Sequence, residues 1–116
     1  VHFGTVAPDF IIHAIDATNK AIAEKPDVLK RFLAGWFETI GWMRGHKDET
    51  VALAAPVMHQ DKDIVAMNYD ETMNDFSTTG RFDAKALAVL ARSFVEMKTL
   101  SAEPDMSKLY TETLLP

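Results

Sequence analysis

Four histidines and a scatter of carboxylates are the residues of this chain best equipped for chemistry. His59, Asp61 and Asp63 fall within five residues, a density that raises a metal site. Asp61 is already accounted for as the N-cap of a following helix, and Ala66 stands where a calcium loop needs glycine. The group therefore reads as a polar turn between helices. His46, Asp48 and Glu49 pose the same question at another helix start, where acids are expected on electrostatic grounds alone. His13 lies in a β-prone stretch, on the opposite side from Ile12. Asp9 and Phe10 stand at the beginning of that stretch, where a carboxylate beside an aromatic ring could line a cleft. The plainer reading makes Phe10 core, Asp9 a turn residue and His13 a surface residue. There is no nucleophile elbow, Gly-rich phosphate loop or HExxH motif, and no Ser/His/Asp set that can be placed.

The elements that would position these groups follow from the apolar pattern. In PDVLKRFLAGWFETIGWMRG, Pro26 to Gly45, the residues Leu29, Phe32, Leu33, Trp36, Phe37, Ile40 and Met43 recur at helical steps. Pro26 and Asp27 suit the first turn, and Arg44 with Gly45 reads as the stop. Burying all seven side chains would contribute roughly 10–20 kcal/mol gross, so this helix is expected to organise the chain. Trp36 belongs to that stripe, and its truncation to alanine is expected to cost ~3–5 kcal/mol. Trp42 falls off the stripe and is expected at a rim.

The remaining segments are read around it. Val1 to Pro8 has no helical period and reads as extended, with Pro8 breaking it from Asp9–Ala17 (DFIIHAIDA), the one good strand candidate. Thr18 caps a short helix from Asn19 to about Glu24. Asp48 is expected to cap a helix carrying Val51, Leu53, Ala54, Ala55, Val57 and Met58, with Pro56 kinking or ending it. Asp61 opens a helix to about Asn74. Phe82 and Asp83 read as staple and cap of a helix to about Lys98, with Leu87, Leu90, Ala91, Phe94 and Met97 inward. Asp105 opens a last short turn. The fold class expected is mainly α, four or five helices plus one N-terminal strand, in a single unit: residues 1–17 extended, 18–116 helical.

Composition narrows the function. The 116 residues suffice for one modest core. A formal net charge of −5 and scattered basic residues exclude a nucleic-acid backbone as the natural partner. With no cysteine, disulfides, thiolate zinc sites and cysteine nucleophiles are ruled out, while cytosol and periplasm both remain open. A lone strand cannot satisfy its own edges, so it needs a partner.

The order of pieces carries a resemblance. The stretch FIIHAIDATNKAIAEKPDVLKRFLAGWFETIGWMRGHKDETVALAA, then YDETMNDFSTTGRFDAKALAVLARSFVEMKTL, then SKLYTETLLP, resembles the C-terminal part of ABC-importer substrate-binding proteins of the nitrate/sulfonate/taurine class. The likeness covers essentially the whole chain, through order and spacing rather than one diagnostic motif. It implies a piece of an α/β two-lobed periplasmic binding fold, with a small anionic or polar solute held in the cleft. It also implies docking on an ABC permease and a periplasmic or extracytoplasmic location. The start at Val1 without a leader fits a piece of a longer chain, and the missing sheet would pair the strand. Asp9, Phe10 and His13 are then the residues placed to border the ligand. No catalytic residue, cofactor or metal is implied. Two alternatives stand beside it: a fragment of a thiamine-pyrimidine synthase-like enzyme, which the resemblance also touches, and a free-standing helical interaction module. The isolated piece is expected to self-associate, through strand pairing between copies.

Overall fold

A computed structural model describes residues 3–7 and 9–116, so Val1 and the break assigned to Pro8 lie outside the described residues. Among the described residues six α-helices follow in order: α1 (Phe3–Val6), α2 (Asn19–Glu24), α3 (Pro26–Gly45), α4 (Lys47–Met58), α5 (Lys62–Thr72) and α6 (Ala84–Glu96). A single 3-10 turn spans Met106–Lys108, opened by Asp105 as its N-cap. The mainly helical reading stands. Part of the segment expected to be extended instead forms the one-turn helix α1. The chain divides into two compact units, one built from the segments up to Pro26 and from Arg81 to Leu114, the other from Asp27–Gly80 with Leu115–Pro116.

The expected strand is absent. No described residue is in a β-strand, and residues 10–18 run without regular structure. β-Branched residues favour a pleated surface, but a strand exists only where a neighbouring edge supplies hydrogen bonds. Ile11 to Ala17 have no backbone hydrogen bond to any described residue, and Ile12 and Ile15 are exposed.

In the second unit, the buried cluster lies between α4 and α5 rather than along α3. Val51 and Ala55 pack with Val65, flanked by Ala54, Ala66 and Tyr69. The alanines let the two helices approach, as their pattern suggested. The stripe on α3 is only partly covered. Ile40 is 4% exposed, and Leu29, Leu33, Phe37 and Met43 are half-buried, but Phe32 is 51% and Trp36 40% exposed. The large gross burial expected of α3 is therefore not reached. Trp42, 40% exposed, does sit at a rim.

Side chains hold the C-terminal end of α3 in place. The Tyr69 hydroxyl donates to the Met43 carbonyl at 2.6 Å, and Arg44 Nη2 donates to the Phe76 carbonyl at 2.6 Å. Lys47 Nζ pairs with Asp70 at 2.6 Å. His46 Nδ1 lies 2.8 Å from the Trp42 carbonyl, and the two rings stack at 4.5 Å between centroids. The last carbonyls of a helix have no partner within it; Tyr69 and His46 supply those of Met43 and Trp42, while Arg44 and Lys47 tie the helix end to Phe76 and Asp70. Gly45 is the final helical residue, not a left-handed stop, and His46 rather than Asp48 takes the N-cap position of α4. Asp48 and Glu49 sit in the first turn, and α4 runs through Pro56 to Met58. Gly80, at φ +70°, closes this unit: a Cβ there would overlap the Phe37 ring and Leu115.

In the first unit, Asp83 caps α6 by accepting from the Lys85 and Ala86 amides at 2.8 and 3.0 Å. Ala91 is buried and Leu87, Leu90 and Phe94 are half-buried, as the pattern required, while Met97 is exposed. The Phe82 ring meets Tyr110 edge-on at 5.0 Å. Glu112 accepts from the Phe82 amide at 2.9 Å and from Arg81 at 3.1 Å, tying the C-terminal segment to the start of α6.

Helices α4 and α6 end alike. The Gln60 amide bonds the Ala55 carbonyl and the His59 amide that of Pro56. The Thr99 amide bonds the Phe94 carbonyl and the Lys98 amide that of Val95. Both are Schellman motifs whose left-handed residue, His59 at φ 52° or Lys98 at φ 58°, is not glycine. Each side chain there carries steric strain, so His59→Gly and Lys98→Gly should each stabilise the chain by roughly 0.5–1 kcal/mol in urea denaturation. The same measurement should separate Ile40→Ala, costing about 2–5 kcal/mol, from Trp36→Ala, now expected to cost under about 2 kcal/mol. Equal losses would contradict the burial pattern of α3.

Candidate functional site

Of the residues read as bordering a ligand, Asp9 is the one with a defined charged partner. It adopts φ 63°, a left-handed conformation that aspartate tolerates, at the head of the unpaired segment. Lys85 Nζ reaches its Oδ2 at 2.6 Å from the first turn of α6. Phe10 is half-buried. His13 is exposed and has no hydrogen bond to a described residue. The three lie in one stretch without regular structure.

The other two histidine groups occupy helix ends. His59 is the left-handed residue after α4, Asp61 is the N-cap of α5 without a side-chain cap bond, and Asp63 lies in the first turn of α5. His46 is engaged with Trp42. Among the described residues no three histidines or carboxylates converge to hold a metal ion. No helix among them is long and apolar enough to cross a membrane.

The sequence reading did not anticipate an open apolar groove of about 290 Å³ between α3 and α4. Thr39, Trp42 and Met43 form one wall, and Leu53, Val57 and Met58 are the exposed part of the other. A second hollow of about 250 Å³ shares Thr39 and Trp42 and adds Glu38. Pockets for drug-sized ligands run from about 300 to 1,000 Å³ and enclose most of the molecule. This groove is shallow and lacks convergent polar groups, so it does not suit a polar solute. The signal was present in α4. Val51 and Ala55 lie on one side of the helix, Leu53 and Val57 on the opposite side.

No protein-family model matches the chain, and no curated protein or solved structure is significantly similar to it.

The Asp9–Lys85 contact has a pH signature. Lys85 titrates above its ordinary value of 10.5, chiefly through its hydrogen bond to Asp9 and then through the attraction of that carboxylate. A raised folded-state value means that this stabilisation is complete below the unfolded value and fades as pH rises through the folded one. The alkaline limb of a stability–pH profile should therefore include a component that Lys85→Met removes. An unchanged limb would mean that the pair is not held in solution.

Proposed function

We propose that this chain is the C-terminal part of a two-lobed solute-binding protein serving an ABC importer, acting outside the cytoplasmic membrane on a small anionic or polar molecule. The observation that carries the reading is the segment Ile11–Ala17: strand-type residues whose backbone bonds no described residue, with Ile12 and Ile15 exposed. Such a segment suits a sheet supplied by another part of the protein, and it is the stretch the resemblance assigns to the crossing between lobes. Asp9, Phe10 and His13 lie at its start, where a crossing segment borders the cleft. Hinge closure around the solute would then bring the second lobe onto them. The helices contribute scaffold, and the permease would read the closed form.

The test is a melting experiment on the whole gene product with nitrate, taurine and alkanesulfonates. A ligand at a hundred times its Kd adds about 2.7 kcal/mol, which raises Tm by roughly 4–6 °C in a protein of two to three times this length. The 116-residue chain alone should show no comparable shift. A whole protein unmoved by the entire panel would remove the proposal.

A further inference from the structure

The open side of α3 has a periodicity separate from its half-covered stripe. Val28, Phe32, Gly35, Thr39, Trp42 and His46 follow one another at alternating steps of four and three, the spacing of a heptad seam, and all six are exposed. Arg31 and Glu38 flank this seam on one side, one heptad apart. Both are exposed, and neither has a hydrogen bond or ion pair to a described residue. Leu29 and Trp36 flank it on the other side. Gly35 leaves a notch in the middle, since a Cβ built there would meet nothing within 4 Å.

We propose that a second copy of this chain covers the Val28–Thr39 part of this face, with the two α3 helices antiparallel about a two-fold axis. The flanks decide the orientation. In an antiparallel pair each flank meets the same flank of the other helix, so Arg31 can lie beside the partner's Glu38, and the symmetry makes that pair twice. In a parallel pair each flank meets the opposite one. Arg31 would then face the partner's Trp36 and Glu38 the partner's Met43, leaving four charges without a mate.

Volume selects the register independently. The alignment that joins Arg31 to the partner's Glu38 lays Phe32 over the partner's Gly35 and Val28 over the partner's Thr39. A large ring thus enters the notch of a residue with no side chain, twice. It also sets Leu29 beside the partner's Trp36, so the second flank is apolar. Sliding by one heptad would bring Glu38 against the partner's Glu38. Charge and size therefore choose the same arrangement. The inference concerns the face of α3 within these 116 residues and does not rest on the receptor reading. It replaces strand pairing as the route to self-association.

The test is sedimentation equilibrium of the 116-residue chain over a concentration range of about 1–500 μM, wide enough to span typical weak-dimer constants. The mass should rise from 12.9 kDa toward twice that value. Arg31→Glu and Glu38→Arg should each weaken the dimer about tenfold or more, and the double reversal should restore it to within roughly threefold. Gly35→Leu should fill the notch and give a monomer with an unchanged circular dichroism spectrum, which separates lost association from lost folding. A wild-type monomer at every concentration overturns the proposal. So do charge reversals without rescue, and a dimer that survives Gly35→Leu. Capture of the face by an unrelated helical peptide, with no self-association, would also overturn it.

Discussion

A helix can lay only one side against a given neighbour, and α4 carries apolar residues on two. Val51 and Ala55 meet Val65 of α5; Leu53 and Val57 point the other way and stay largely uncovered. α3 has the same excess, with Ile40 buried and Phe32 open. The chain exposes 8754 Å², whereas two compact units of half its mass would together expose roughly 7,600 Å². Large apolar side chains therefore remain exposed on α3 and α4, among them Phe32, Leu53 and Val57.

With so little deep burial, polar contacts at helix ends carry an unusual share of the organisation. At the end of α3, Tyr69 and His46 engage the Met43 and Trp42 carbonyls, which would otherwise rely on water, and Arg44 and Lys47 reach Phe76 and Asp70. In the other unit, Asp83 caps α6 while Glu112 ties the Phe82 amide and Arg81 to the C-terminal segment. A net hydrogen bond is worth only about 0.5–1.5 kcal/mol, so these contacts position the helices more than they stabilise the fold.

Helix placement was largely legible in the sequence, because it rests on local signals. Thr18, Asp83 and Asp105 cap where their side chains implied, and α2, α3 and α6 lie close to the periods that defined them. What sequence could not reveal was coverage. Periodicity marks which side of α3 is apolar but not how much surface will meet it, so Trp36 and Ile40 looked equivalent. The strand failed for a related reason: Ile11, Ile12 and Ile15 have the right propensity, but pairing depends on a partner edge. The helix ends at His59 and Lys98 were obscured because glycine was absent from positions that normally advertise it. For the candidate site, Asp9, Phe10 and His13 were placed by resemblance, while the α3–α4 groove could have been read from α4's two-sided pattern.

Met58 gives the groove a chemical weak point. The residue is half exposed where α4 borders α3, in a largely apolar lining. Addition of one oxygen would place a strong S=O dipole in that lining and turn a soft, adaptable surface into a polar one. Oxidation at Met58 would thus make a greasy furrow wettable.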